Sequence, residues 1–283
     1  MTTLREKMKN EMQLRGFAAG TQKAYLKKII ELYEYYKRSP AKLSQEEIKA
    51  YLLYLVYKRK LSANTYNVVI HALKFFYEVV LRRTIVHHDF PLSKQAKKLP
   101  DILSTDEVTA IIKAALHIKQ KTILVLAYGA GLRSAEIVHL KLGDIDNKRM
   151  LLHIRNSKGN KDRYVVLSPF VLSMLRLYWH QYRSKIQCKE KWLFPGIKPH
   201  KPIAIRTIGY IFKQAVKRTD ITKNGGIHSL RHAFATHALE AGEDLHTIKQ
   251  LLGHARITTT ARYLHMTSNK MKSIVPPIEA LNL

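Results

Sequence analysis

His228-Ser-Leu-Arg231-His232-Ala-Phe-Ala-Thr-His237 opens the most informative stretch of this chain, which runs on through Leu251-Leu-Gly-His254 to Thr259-Thr-Ala-Arg-Tyr263. The pattern predicts a helix over 228–240 that ends near Gly242. It predicts short helices over 247–252 and 258–265, with a break at Gly253. Residues three apart share a helix face, so His228 and Arg231 project together. Imidazoles, an arginine and a tyrosine at tight spacing suit phosphoryl transfer by a side-chain nucleophile. Negative charge grows on the non-bridging oxygens of such a transition state, and fixed cations must meet it. Carboxylates are sparse around the motif, so the cations expected here are side chains. Arginine is the better clamp, because its planar fork gives a phosphate two parallel bonds. A phosphotyrosyl ester keeps the energy of the broken bond, so resealing needs no ATP. A free phenol titrates at about 10, so Tyr263 needs a base or a cationic field nearby. His228 and His232 stand four apart, a metal-ligand spacing. The zinc-protease pattern requires Glu after the first His, and Ser229 stands there. No metal and no cofactor is expected.

Composition points the same way. The 283 residues carry 49 Lys+Arg against 21 Asp+Glu, a net +28. Residues 1–100 hold 20 basic and 8 acidic groups, and 101–283 hold 29 and 13, so both halves are basic. A basic tail would suggest an added anchor, whereas a chain basic throughout suggests that both halves touch a polyanion. Cys188 is the sole cysteine, which excludes an intrachain disulfide and any cysteine-built zinc site. The N-terminal stretch has no apolar core, and the longest uncharged apolar run, 122–132, is too short to span a bilayer. A cytoplasmic, DNA-facing protein is expected, nucleoid-associated when bound and without a membrane partner.

Working outward, residues 1–90 read as four helices. Tyr25, Ile29, Leu32, Tyr33 and Tyr36 recur at helical spacing, Ser44 with Glu47 forms a capping box, and Ser62 or Asn64 caps a helix carrying Tyr66 to Val80. Residues 91–100, with two prolines and three lysines, read as a basic linker. Within 101–283, Ser104 and Glu107 form another capping box. A buried helix is expected at 123–128, and after Gly129 and Gly131 a new helix carrying Arg133 and Glu136. Leu151 to Arg155 and Arg163 to Leu167 flank Ser157-Lys158-Gly-Asn-Lys161, the single hairpin signal. Helices resume over 169–182 and 207–217. The expected fold class is mainly α: an N-terminal four-helix domain, then a larger α-rich domain with a small β hairpin or sheet.

The C-terminal segments, with Gly129-Ala-Gly-Leu-Arg133-Ser-Ala-Glu136 and Ser157-Lys158-Gly-Asn-Lys-Asp-Arg163, resemble the conserved boxes of the tyrosine recombinase (phage integrase) family, most closely its Xer and integron-integrase-like group. Trp192-Leu-Phe-Pro195 is similar to a further family landmark. The likeness spans nearly the whole chain, with every box in order. It implies a SAM-like core-binding domain over 1–90 and a catalytic domain over 101–283. It implies that Arg133 and Arg231 grip the scissile phosphate, that His254 bonds a non-bridging oxygen, and that His228 assists proton removal from the nucleophile and supports the phosphate. It implies that Tyr263 forms a 3′-phosphotyrosyl bond and that Glu136 buttresses the site. In the family pattern the lysine before the glycine is the general acid, which favours Lys158 over Lys161. The implied partners are double-stranded DNA with inverted half-sites and further copies of the chain, as dimers and a tetramer around a four-way junction. Accessory DNA-bending or directionality proteins are possible additions. The short tail, 264–283, is expected to dock on a neighbouring subunit. Arg206, Asn64 and Lys74 are the candidate DNA-reading side chains. Two rival functions share this scaffold: a catalytically silent DNA-binding or architectural protein, and a type IB topoisomerase-like enzyme that nicks and closes one duplex. The complete six-residue set argues against the first, and the separate N-terminal bundle with the short tail argues against the second.

Overall fold

The computed structural model describes residues 3–83, 91–93, 101–157, 161–187, 191–198, 200–261 and 263–264. Lys158, Cys188, the linker lysines 94, 97 and 98, and the tail from 265 onward lie outside the described residues, as do the side chains of 156, 157 and 161. The chain divides into two compact units, residues 1–98 and 99–283.

The first unit holds α1 (Leu4–Leu14), α2 (Ala19–Tyr36), α3 (Gln45–Tyr57) and α4 (Ala63–Lys74). Thr3 with Glu6 and Ser44 with Glu47 make reciprocal capping boxes, and of the two caps expected for α4 it is Ser62 that accepts from the Thr65 N–H. Beyond α4 the coil widens into a π-helical stretch, Phe75–Val80, which the hydrophobic spacing does not reveal. Met8, Met12, Leu32, Ile70, Leu73 and Phe76 fill the core. Two phenols at its edge are satisfied by backbone: Tyr77 donates to Pro40 O at 2.7 Å and Tyr36 to Glu47 O at 2.6 Å. Residues 91–93 are tied to α4, where the Asn67 amide exchanges two hydrogen bonds with the Ser93 backbone.

The second unit is built on α6 (Ile118–Gly129), buried on every side from Thr122 to Ala127. A helix apolar all round belongs inside a core. It begins five residues earlier than its apolar run predicts, because its first turn, Ile118-Lys-Gln-Lys, is polar and carries no periodic signal. Around it pack α5 (Thr105–Lys113), α8 (Pro169–Gln181), α9 (Ile205–Val216) and α10 (His228–Glu240). Tyr128 on α6 bonds His237 on α10 at 2.9 Å. Truncating the fully buried Leu126 to Ala removes about 2–5 kcal/mol.

One antiparallel sheet, ordered β1 (Ile145–Asp146), β2 (Leu151–Ser157), β3 (Lys161–Val166), realises the expected hairpin and adds a short third strand. Leu152 faces Val165 and Ile154 faces Arg163 across β2 and β3. Side chains alternate along a strand, so Tyr164 and Val166 are exposed while Arg163 and Val165 turn inward. The remaining elements are α7 (Ser134–His139), α11 (Leu245–Leu252) and α12 (Ile257–Ala261). Of the helix expected over 258–265, the described residues show α12 through Ala261 and a 3-10 conformation at Tyr263 and Leu264.

Candidate active site

The site starts from a single carboxylate. Glu136 occupies the third position of α7 and accepts the Arg133 N–H at 2.8 Å, capping the helix. The same carboxylate takes Arg133 Nη1 at 2.8 Å and the two Nη groups of Arg163 at 2.7 and 2.9 Å, and Arg231 Nη1 lies 3.7 Å away. Its side chain is 5% exposed. Burial works against its charge, but the hydrogen bonds and charge of Arg163, then those of Arg133, win and hold the carboxyl at about 2. Three guanidiniums against one carboxylate leave the hub with two positive charges uncompensated within this group, which is what an anionic substrate requires.

A second device sorts these arginines. The carbonyls at the C-terminus of α11 have no intrahelical partner. Leu251 O accepts from Arg163 Nε at 2.9 Å, Leu252 O from Arg231 Nη2 at 2.5 Å, and Gly253 O from Arg133 Nη2 at 3.3 Å. The negative end of the helix dipole adds to the attraction. Gly253 closes α11 in the left-handed region at φ +59, and a Cβ there would stand 2.9 Å from Arg163 Cδ. Gly131, also at φ +59, presents its carbonyl to Arg231 Nη1 at 2.6 Å, and a Cβ there would lie 2.7 Å from Phe234. Arg231 is thus fixed on both sides before any substrate arrives. Burial, then the neighbouring Arg133 charge, lower its pKa to about 9, so it remains a cation at neutral pH.

Beside the hub lies a cleft of about 650 Å³ lined by Arg133, His228, Arg231, His232, His254, Arg256, Thr259 and Tyr263. His228 opens α10; burial and then the Arg231 and Arg133 cations hold it below its usual value, which favours the neutral imidazole at pH 7. His254 Nε2 meets Arg231 Nη2 at 3.3 Å, and its Nδ1 meets Thr260 Oγ1 at 2.9 Å. Tyr263 is 3% exposed, set among Ala235, Leu239, Ile248 and Leu252. Its hydroxyl lies 2.8 Å from His232 Nδ1, and its ring is near-parallel to His254 at 6.4 Å.

The structure therefore brings five sequence-derived candidates, Arg133, His228, Arg231, His254 and Tyr263, to one cleft, with Glu136 beneath it. Asn64, exposed near the start of α4, and Lys74, at its last residue, belong to the first unit. Arg206 is exposed in the first turn of α9, outside the cleft lining. The sequence assigned no role to Arg163, Thr260 or Arg256, and it offered His232 only as a rejected metal ligand, or as a structural or groove-facing histidine. Arg163 had a signal in strand alternation, since it falls on the inward register of β3. His232 had none, because three histidines share α10.

A buried carboxylate organises three arginines, and histidines and a phenol share one cleft with two of them. Residues 101–270 match the model of the phage integrase family, and residues 4–86 match the phage integrase N-terminal SAM-like domain. The Sinorhizobium fredii protein y4qK, named an integrase/recombinase, is 42% identical over 282 residues, covering 99% of this chain and 90% of that protein. Tyrosine recombinase XerC of Staphylococcus epidermidis is 30% identical over 271 residues, 92% of this chain and 91% of that one. Among solved structures, XerA recombinase aligns at 27% identity over 95% of both chains with a TM-score of 0.56. A lambda integrase dimer bound to a COC′ core site shares the fold, with a TM-score of 0.70 at 19% identity over 90% of this chain and 75% of that one. The chain belongs to the phage integrase family, the tyrosine-type site-specific recombinases.

Proposed function

We propose that this protein binds double-stranded DNA at inverted half-sites and cuts and rejoins one strand at a time through a 3′-phosphotyrosyl link to Tyr263. Arg133 and Arg231 hold the scissile phosphate, His254 bonds a non-bridging oxygen, and His228 supports the phosphate. Lys158, between β2 and β3 in the sequence, protonates the departing 5′ oxygen. The phenolic oxygen attacks phosphorus, the bond to the 5′ oxygen breaks, and the reverse attack by a 5′-hydroxyl reseals the strand. Paired sites in a tetramer of protomers exchange strands through a four-way junction, as a cytoplasmic reaction on the chromosome or a mobile element. The observation that carries this reading is the shared cleft of Tyr263, Arg133, Arg231, His228 and His254. Fixed cations already aimed at the reacting group cost no reorganisation at the moment of reaction.

The test uses the duplex that the protein selects from a random pool, nicked so that cleavage cannot reverse. The wild type accumulates a covalent protein–DNA adduct and Tyr263→Phe does not. A wild-type protein that binds this duplex and forms no adduct supports the silent binder. An adduct without intermolecular joining supports nicking and closing.

A further inference from the structure

We infer that His232 is the catalytic base that takes the proton of the Tyr263 phenol, an inference that rests on the cleavage reaction proposed above. Arg231 and His232 are neighbours on α10, so their side chains diverge by about a hundred degrees around the helix. Arg231 turns to Glu136 and the end of α11. His232 turns to Tyr263, with Nδ1 2.8 Å from the phenolic oxygen. That is the distance general-base catalysis requires. The apolar pocket of Ala235, Leu239, Ile248 and Leu252 fixes the tyrosine ring, so the hydroxyl meets the imidazole as a consequence of packing.

The other histidine near the phenol is committed elsewhere. His254 Nδ1 lies 2.9 Å from Thr260 Oγ1 and its Nε2 3.3 Å from Arg231 Nη2. With the proton on Nε2, the nitrogen that donates to a phosphate oxygen, Nδ1 accepts from Thr260, and His254 has no lone pair to offer Tyr263. The charged groups lining the cleft with His232 are Arg133, Arg231 and Arg256, with His228 and His254 the other titratable ones and Glu136 beneath Arg231. The arginines are cations that favour the developing phenolate.

In the step, the Tyr263 oxygen forms its bond to phosphorus as its proton passes to His232 Nδ1. The bond to the 5′ oxygen breaks, and that oxygen takes a proton from Lys158. On resealing, the 5′-hydroxyl returns its proton to the lysine, and the phenolate leaves phosphorus and recovers its own from His232. His228 is left to the phosphate.

His232→Asn separates base from holder, because the amide oxygen reaches the place of Nδ1 and accepts the phenol's hydrogen bond but does not take the proton. On the nicked duplex, single-turnover adduct formation by His232→Asn falls by about a hundredfold or more. DNA affinity and melting temperature stay near wild type; the wild-type rate falls toward acid pH, and in His232→Asn that fall is expected to disappear. A wild-type rate with the same acid limb in His232→Asn overturns the inference, and so does a loss confined to His232→Ala. A second measurement needs neither DNA nor a variant. Long-range ¹⁵N–¹H spectra of the wild-type protein with labelled histidine show Nδ1 of His232 unprotonated and Nε2 carrying hydrogen. A proton on Nδ1 makes His232 a donor and overturns the inference. The spectra are read whether or not an adduct forms, so failure of the recombinase reading and failure of the base assignment are told apart.

Discussion

The two ends of the cleft are built on opposite logics. At the arginine end, Glu136 and the three carbonyls of α11 tie Arg133, Arg163 and Arg231 from elements distant in sequence into one buried network. At the tyrosine end, Tyr263 lies close after α12, its hydroxyl against His232, its ring beside His254 and its body in an apolar seat. The proposed grip on phosphate is part of the domain's buried polar network, whereas the proposed nucleophile sits in an apolar seat beside two imidazoles. Breaking the first costs fold and function together. Breaking the second costs chemistry alone.

That contrast can be broken from the chemical side first. Tyr263→Phe abolishes adduct formation while lowering stability by only about 1 kcal/mol, the worth of one hydrogen bond; thermal melting beside the adduct assay checks both. Glu136→Gln is next and acts at the other end. It strands buried guanidiniums and destabilises the protein by about 3–5 kcal/mol, measured by urea unfolding, and cleavage falls with it. Acid titration sharpens the same point. The Glu136 carboxyl sits at about 2 in the folded protein against an ordinary value of 4.5. Its depressed pKa contributes stability above pH 4.5, and that contribution drains away as pH falls from 4.5 toward about 2. Stability curves of wild type and Glu136→Gln therefore converge across that window. Arg163→Lys loses the paired bonds to Glu136 and the bond to Leu251 O, costs about 2 kcal/mol, and slows cleavage although Arg163 is not assigned to the phosphate. Smallest is Arg206→Ala, which leaves melting unchanged and lowers the slope of log affinity against log salt by about one if it meets a phosphate.

Much of this was legible beforehand, and the misses have physical causes. α10 begins and ends where its sequence predicts, because a compact run of helix formers is closed by Gly242. The capping boxes at Ser44 and Ser104 announced two further helices, since cap and acceptor lie three residues apart and need nothing else. What stayed hidden depends on partners far along the chain. A lone arginine in β3 means little until Glu136, 27 residues away, is known to face it. The contact of His232 with Tyr263 spans 31 residues. The π-helical stretch at 75–80 leaves no trace in apolar spacing. The chemistry of the boxes could be read locally, and the division of labour within them could not.

The most direct test of the whole account is to digest the wild-type protein–DNA adduct formed on a nicked selected site and locate the nucleotide by peptide mass spectrometry. The account predicts a nucleotide joined through its 3′-phosphate to the peptide carrying Tyr263, with a free 5′-hydroxyl on the released strand. Attachment at any other residue, or a 5′-phosphate on the released strand, contradicts it.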